Sequence, residues 1–185
     1  VQIIHELHTK KQNRVIFKIY FEKAYDKLGS SLCPREQCRN KSPYYQTRKG
    51  LRQGDPLSPI LFNIVVDMLA VIITRANNNR QVKGVIPHLL EGGLSILQYV
   101  DDTIIFLDYG LEQAKHMKLI LRLFEQLSGL KINFHKREIF CFGQAKEYET
   151  HYAAMFGCKL GSYPFWYLGL PMHFRKLSNK DWKMI

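Results

Sequence analysis

Two adjacent aspartates, Asp101 and Asp102, stand between two apolar runs in the stretch SILQYVDDTIIFL (residues 95–107). Two carboxylates about 4 Å apart repel each other by about 4 kcal/mol at an effective dielectric near 20. A divalent cation relieves that repulsion, since Mg²⁺ takes one or two protein carboxylates and completes its shell with water and phosphate oxygens. Two such ions can hold the attacking and leaving oxygens of a nucleotidyl transfer. The alternative from these residues alone is a polar hairpin tip, because Asp-Asp between strand-length runs suits a tight turn.

A second stretch with possible chemistry is RKGLRQGDPLSP (residues 48–59). Its glycines allow backbone N–H groups to approach an anion, and Arg48, Lys49 and Arg52 supply positive charge for phosphates. The stretch is not a P-loop, because no Gly-Lys-Ser/Thr follows its glycines. A basic turn that leads into a helix, with prolines near the first helical turn, explains the same residues.

Positive charge is concentrated near the start of the 185-residue chain. The whole chain has 27 Lys and Arg against 16 Asp and Glu, a net charge of +11. Residues 9–53 alone carry twelve basic and three acidic side chains, which leaves +9 in that segment. Such a segment predicts a nucleic acid as the first partner and a membrane surface as the second. A merely solvated basic face remains open on charge alone.

These residues need a scaffold, and the apolar pattern predicts both strands and helices. VIFKIYF (15–21) is typical of a strand, residues 29–45 of a loop, and SILQYV with TIIFL of two strands around the aspartates. Residues 129–143 alternate like a strand pair, and YPFWYLGLPM (163–172) is typical of a short aromatic hairpin. We therefore predict one α+β domain over residues 1–185, with an antiparallel sheet and helices packed on one face.

Two helices are predicted from apolar residues at helical spacing. PILFNIVVDMLAVIITRA (59–76) is interrupted by Asn63 and Asp67 and is interpreted as an amphipathic helix rather than a membrane span. LEQAKHMKLILRLFEQLSG (111–129) is the clearest helix, and Gly129 suits its C-terminal end. The residues predicted to face the core are Ile60, Ile64, Val65, Met68, Leu69 and Ile72 in the first helix, and Met117, Ile120, Leu121, Phe124 and Leu127 in the second.

The motifs FEKAYD, RQGDPLSPILFN, YVDDT, SGLKINFHK and WYLGLP follow one another along this chain. In these motifs and their order the chain resembles the reverse transcriptases of non-LTR (LINE-type) retrotransposons, particularly those of plants. The resemblance covers nearly the whole chain and implies a polymerase palm that copies RNA into DNA. It implies Mg²⁺ or Mn²⁺ as cofactor, an RNA template, a DNA primer and a dNTP as partners, and no membrane. The fingers of such a polymerase would precede Val1 and the thumb would follow Ile185, so we expect both to be largely missing from this chain.

The resemblance also implies roles for individual residues. Asp101 and Asp102 match the pair that holds the catalytic metals, and Lys136 matches a lysine proposed to protonate the leaving pyrophosphate. Tyr25 matches the aromatic residue that rejects a 2′-hydroxyl on the incoming nucleotide. Arg52, Gln53 and Gly54 match the family's loop that contacts nucleotide and template. Tyr167, Leu168 and Gly169 resemble the family's primer grip.

The chain departs from the family pattern at two places. Where the family has the first Asp of Asp-Phe-x-Lys-Ala-Tyr/Phe-Asp, its third metal ligand, this chain has Tyr20. A phenol with a pKa of about 10 is a poor Mg²⁺ ligand at neutral pH, and Glu22 lies about 6.5 Å further along a strand. Residues 29–45 stand in place of a longer family segment, which indicates an internal deletion.

We therefore expect impaired polymerisation in this copy. The alternative is a non-catalytic, basic nucleic-acid-binding remnant that uses the +9 segment. No targeting signal is evident in the sequence, so only the family role suggests the nucleus. The sequence leaves the oligomeric state open.

Overall fold

The computed structural model describes residue 9 and residues 12–22, 56–85, 93–100, 102–133 and 136–172. These ranges contain three α-helices, one 3-10 helix and eight strands. In chain order they are β1 (Arg14–Glu22), α1 (Leu57–Asn78), β2 (Ile96–Tyr99), β3 (Asp102–Asp108), α2 (Leu111–Ser128), β4 (Lys131–Ile132), β5 (Glu138–Phe142), a 3-10 helix (Gly143–Tyr148), α3 (Glu149–Phe156), β6 (Lys159–Leu160), β7 (Phe165–Tyr167) and β8 (Leu170–Met172). The internal deletion predicted at 29–45 lies outside the described residues.

β1 is the central strand of a mostly antiparallel sheet. The strand order is β2–β3–β1–β5–β6, and β4 pairs with the far end of β1. β1 is antiparallel to β3, β4 and β5, β2 is antiparallel to β3, and β5 and β6 are parallel. The β-branched and aromatic residues of β1 suit this central position, because a pleated strand buried on both sides favours them. The predicted α+β class with an antiparallel sheet is confirmed.

The strand pair predicted over residues 129–143 is wrong in its pairing. β4 and β5 both form, but in the described part of the chain each of them pairs with β1. They follow one another along the same edge of β1, with β5 opposite residues 14–18 and β4 opposite residues 21–22. Period-two alternation identifies a strand but does not identify its neighbour.

The two faces of β1 contact different layers. Val15, Phe17, Ile19 and Phe21 point to one face and share a core with α1, α2 and α3. Ile16 points to the other face, where it packs with β3, β5 and the β7–β8 hairpin. The prediction that the helices pack on one face is therefore confirmed. Among the described residues, the opposite face is covered by the β7–β8 hairpin together with Val85, Leu94 and Tyr163, and no helix packs there.

α1 buries a different stripe from the one predicted. Ile60 and Ile64, which were expected in the core, are 56% and 60% exposed, so the prediction is wrong for them. The helix is apolar on several sides, so periodicity could not show which side meets the sheet. The buried stripe consists of Phe62, Val66, Leu69, Ile73 and Ala76.

α1 is also, among the described residues, the one helix long and apolar enough to cross a membrane by length and composition. The core helix of a globular domain passes the same test, and 28% of the stretch is buried here. Phe62, Leu69 and Ile73 have no exposed surface and share a core with β1 and β3. This packing supports the predicted amphipathic core helix.

α2 follows its predicted stripe with one exception at its C-terminal end. Four of the five predicted core residues are buried, but Leu127 is 68% exposed. Ser128 is buried instead, and its hydroxyl donates to the carbonyl of Phe124 at 2.6 Å. That hydrogen bond within the helix allows a polar residue to occupy the stripe. The helix ends at Gly129, whose φ of 70° is the left-handed cap predicted from the sequence.

The predicted aromatic hairpin forms as β7 and β8, with Tyr167 opposite Leu170. The two residues between them, Leu168 and Gly169, have φ values of 51° and 75°. Two consecutive positive φ values are the mark of a type I′ turn, which matches the twist of a hairpin and favours Asn-Gly. Leucine is strained in this conformation, since its Cβ approaches the following carbonyl.

We predict that Leu168→Asn raises the free energy of unfolding by about 0.5–1 kcal/mol, because asparagine tolerates the left-handed region. Leu168 is 45% exposed, so little packing is lost in the exchange. Urea denaturation of the two proteins measures the difference. Leu168→Val is the matched control and should lower stability, because a β-branched residue suits positive φ still less. Equal stability of all three proteins would contradict the turn assignment.

Candidate active site

Asp102 is the first residue of β3, directly after the turn that joins β2 to β3. β2 ends at Tyr99, which is paired with Asp102 across the hairpin. The sequence suggested that both aspartates lie at the tip, and for Asp102 this is wrong, because Asp102 already belongs to the strand. Asp101 lies outside the described residues. Val100 has a φ of 52°, a conformation that is unusual for a β-branched residue and that marks the turn as strained.

Tyr20 is the residue of β1 that stands directly opposite Asp102. The β1–β3 register pairs Tyr20 with Asp102 and Lys18 with Ile104. Residues paired in this way have Cβ atoms about 4.5–5.5 Å apart and project from the same face of the sheet. The residue at the predicted lost-ligand position is thus an immediate neighbour of the described aspartate. Glu22, which was considered as a substitute, lies two residues further on, opposite Lys131 of β4.

Lys18 is a buried cation on the same face that the sequence analysis did not single out. It is 4% exposed, and its Nζ lies 4.9 Å from the ring centroid of Tyr20 and 5.7 Å from that of Phe165. The ammonium donates a hydrogen bond to the carbonyl of Trp166. The Lys18 side chain therefore connects β1 to the β7–β8 hairpin through this hydrogen bond. A lysine within an otherwise apolar strand was the signal that could have identified it.

The pKa of Lys18 is lowered by burial, which disfavours its charged form. The negative charges of Asp102 and Glu138 act in the opposite direction and raise that pKa. A buried ammonium is costly unless it is hydrogen-bonded and near opposite charge. The Trp166 carbonyl and the two carboxylates supply both conditions.

Lys136 also lies near Tyr20, and its role in protonating a leaving group stays a prediction. Its Nζ is 5.9 Å from the ring centroid of Tyr20. The backbone N–H of Lys136 donates to Oδ1 of Asn133 at 3.3 Å, which helps to shape the segment before β5. Two lysine ammonium groups therefore lie within 6 Å of one tyrosine ring, the range of cation–π attraction.

The predicted primer-grip residues lie on the hairpin that covers part of this face. Tyr167 is 7% exposed, and burial, followed by the charge of Asp102, raises the pKa of its phenol. Trp166 is 48% exposed, so of this aromatic pair only Tyr167 packs into the core. The structure thus brings the hairpin close to Asp102. A role of Tyr167, Leu168 and Gly169 in holding a primer stays a prediction.

The described residues do not fit a pair of divalent cations. They contain no group of three or more His, Cys, Asp or Glu side chains that could hold a metal ion. The position opposite Asp102 holds a phenol, and two ammonium groups lie beside that phenol. The remaining predicted site residues, Tyr25, Arg52, Gln53 and Gly54, lie outside the described residues, so their roles also stay predictions.

A mostly antiparallel sheet that has helices on one face and contains the β2–β3 hairpin with Asp102 is consistent with a partial palm-like polymerase domain. The chain belongs to the reverse transcriptase (RNA-dependent DNA polymerase) family, whose model matches residues 2–172. It is also similar to the Retrovirus-related Pol polyprotein from type-1 retrotransposable element R2 of Popillia japonica, with 32% identity over 89 residues. That match covers 48% of this chain and 14% of the Popillia japonica protein, so the chain spans a small part of its relative.

Proposed function

We propose that this chain is the palm region of a reverse transcriptase from a non-LTR retrotransposon, and that this copy does not polymerise. The proposal depends on one observation, the pairing of Tyr20 with Asp102 across β1 and β3. The motif order and the similarity to the R2 polyprotein support the retrotransposon origin. The plant origin rests on the motif resemblance alone and stays a prediction.

The chemistry expected of the family is nucleotidyl transfer by two divalent metal ions, in which a primer 3′-hydroxyl attacks the α-phosphate of a dNTP. Such a transfer depends on charge stabilisation that is already in place before the reaction. At neutral pH a tyrosine phenol is protonated and brings no negative charge to the position opposite Asp102. Lys18 and Lys136 add positive charge at the same place. Both effects disfavour a divalent cation.

The proposed substrates are an RNA template, a DNA primer and a dNTP. On this proposal Asp101 and Asp102 are the remaining metal-binding carboxylates, and Lys136 is the proton donor to the leaving group. The position of the Lys136 ammonium near Tyr20 supports this placement. A nuclear location would follow from the family role.

We predict that the unmodified chain gives no primer-extension product with Mg²⁺ or Mn²⁺ on an RNA template. Salt-dependent binding of the template-primer, measured on the same preparation, is the control that shows a folded and binding-competent protein. Mg²⁺-dependent extension that is abolished by Asp102→Asn would contradict the proposal.

The second candidate function is a non-catalytic nucleic-acid-binding remnant, and the same assay separates it from the first only when a Tyr20 variant is included. The exposed Lys136 favours it, since its ammonium places positive charge beside Tyr20. Binding without extension in the unmodified chain agrees with both candidates. Recovery of extension in a Tyr20 variant would show that the polymerase site is otherwise intact.

A further inference from the structure

The β7–β8 hairpin is a two-stranded sheet of its own, with no ladder to the central sheet in the described part of the chain. It lies on the face opposite the helices, where the buried Lys18 donates a hydrogen bond to it. We propose that Lys18 is a positioning residue, which fixes the hairpin over β1 and thereby sets where a bound primer lies relative to Asp102. The inference rests on the proposed polymerase function and deepens it, because it assigns a residue that the family resemblance did not single out.

Apolar packing alone defines the position of the hairpin less sharply than a hydrogen bond does. Phe165 stacks on Phe140 of β5 with ring centroids 4.4 Å apart, and Met172 belongs to the same cluster. Such contacts are favourable over a range of positions, because the hydrophobic effect is non-directional. A hydrogen bond requires a short distance and a nearly linear angle. The bond from the Lys18 ammonium to the Trp166 carbonyl can therefore select one position of the hairpin.

This hydrogen bond is made close to both the predicted primer grip and the aspartate. Trp166 is the middle residue of β7, and Tyr167 follows it directly. On β1, Lys18 and Tyr20 are two residues apart, so they project from the same face of the sheet. Tyr20 in turn stands opposite Asp102. The point at which the hairpin is held therefore lies two residues along β1 from the Tyr20–Asp102 pair.

The charge of Lys18 is compensated within the sheet. Glu138 of β5 is paired with Lys18 in the β1–β5 register, and opposite charges at paired positions attract each other. Asp102 also interacts favourably with the ammonium. The rings of Tyr20 and Phe165 lie 4.9 and 5.7 Å from Nζ, within the range of cation–π attraction. These partners stabilise a buried ammonium within reach of the hairpin, where an uncompensated one would be costly.

Lys18→Met tests the hydrogen bond, because methionine keeps an unbranched side chain and has no donor. We expect amide hydrogen exchange of residues 165–172, measured by mass spectrometry on the full chain, to become about ten-fold faster, since a restraint on local opening is lost. Exchange in β1, β3 and β5 should change by less than about three-fold. Lys18→Arg keeps the charge and the donors and should restore slow exchange. Unchanged hairpin exchange in a folded Lys18→Met protein would overturn the proposal.

Glu138→Gln tests the same position without removing the lysine, so it decides the question if Lys18→Met does not fold. Glutamine has nearly the size of glutamate and removes one of the two charges that compensate the ammonium. We expect hairpin exchange to become about three-fold faster in this variant, because the buried lysine is less well stabilised. Equal exchange in Glu138→Gln and the unmodified chain would contradict the role of the compensated charge.

The primer assignment is tested by fluorescence anisotropy without metal ions or dNTP, on an RNA template and on the same template annealed to a DNA primer. We expect the unmodified chain to prefer the template-primer. Lys18→Met should lose that preference while its affinity for the template alone changes by less than about three-fold. Lys83→Met, at an exposed position, is the matched control for the lost charge and should affect both nucleic acids equally.

Equal affinity of the unmodified chain for the two nucleic acids would overturn the primer assignment. Equal losses for both in Lys18→Met would do the same, because a merely structural role weakens both. Neither the exchange nor the binding measurement needs a divalent metal or turnover. Failure of a Tyr20→Asp variant to extend a primer would therefore contradict the proposed polymerase site and leave the outcome for Lys18 to these two measurements.

Discussion

Tyr20→Asp should restore divalent-metal binding and, in an intact polymerase scaffold, primer extension. Tyr20 projects from the same face as Asp102 and stands directly opposite it, so an aspartate there would face a second carboxylate across the two strands. Two carboxylates on adjacent strands favour a divalent cation, because the ion relieves their repulsion. Regained charge stabilisation of this kind is worth about 10²–10³ in rate.

Two readouts check this expectation. Mn²⁺ binding, followed by electron paramagnetic resonance on the chain itself, reports the site without any requirement for turnover. Primer extension reports the chemistry after the chain is grafted between intact fingers and thumb. We expect Tyr20→Asp to bind Mn²⁺ more tightly than the unmodified chain and to yield extension product.

Tyr20→Asn is the matched control, because asparagine has nearly the volume of aspartate and no negative charge. If Tyr20→Asn restores Mn²⁺ binding equally well, the tyrosine ring blocks the site by its bulk and the missing carboxylate is not the cause. A folded Tyr20→Asp protein that binds no more Mn²⁺ than the unmodified chain would contradict the proposed site. In that case Lys18, whose ammonium lies 4.9 Å from the Tyr20 ring, is the first residue to replace.

Leu69→Ala should lower the free energy of unfolding by about 2–5 kcal/mol, whereas Ile64→Ala should change it by less than about 0.5 kcal/mol. Leu69 has no exposed surface and belongs to the helix-side core, so its truncation leaves a cavity. Ile64 is 60% exposed on the same helix. Both residues were predicted to be buried from the sequence, which makes the pair a direct test of how α1 is oriented.

Urea denaturation of the two variants and the unmodified chain gives the comparison. A shift in midpoint at constant m value is the signature expected for Leu69→Ala. Similar losses for the two variants would mean that α1 is rotated relative to the described packing, or that its outer side is covered by another surface. The helical content by circular dichroism should be unchanged, because alanine is the best helix former.

Much of the fold could be predicted because its signals are local. The β-branched and aromatic run of β1, the cap at Gly129 and the aromatic hairpin each depend on a few neighbouring residues. α1 could not be oriented in the same way. Its apolar residues occupy more than one side, and only the position of the sheet decides which of them are buried. The end of α2 could not be predicted for the same reason. There Ser128 is buried and the more hydrophobic Leu127 is exposed, because the position of the helix on the sheet decides which residue faces the core.

For the candidate site, too, some features follow from the sequence and others depend on the tertiary structure. The sequence by itself determined the residue types: the YVDDT motif, the family it indicates, and a tyrosine where an aspartate is expected. Only the tertiary structure decided that Tyr20 faces Asp102 and that Lys18 and Lys136 lie beside it. The register between two strands far apart in the chain depends on pairing over the whole sheet, and a slip of one residue would turn Tyr20 to the helix side.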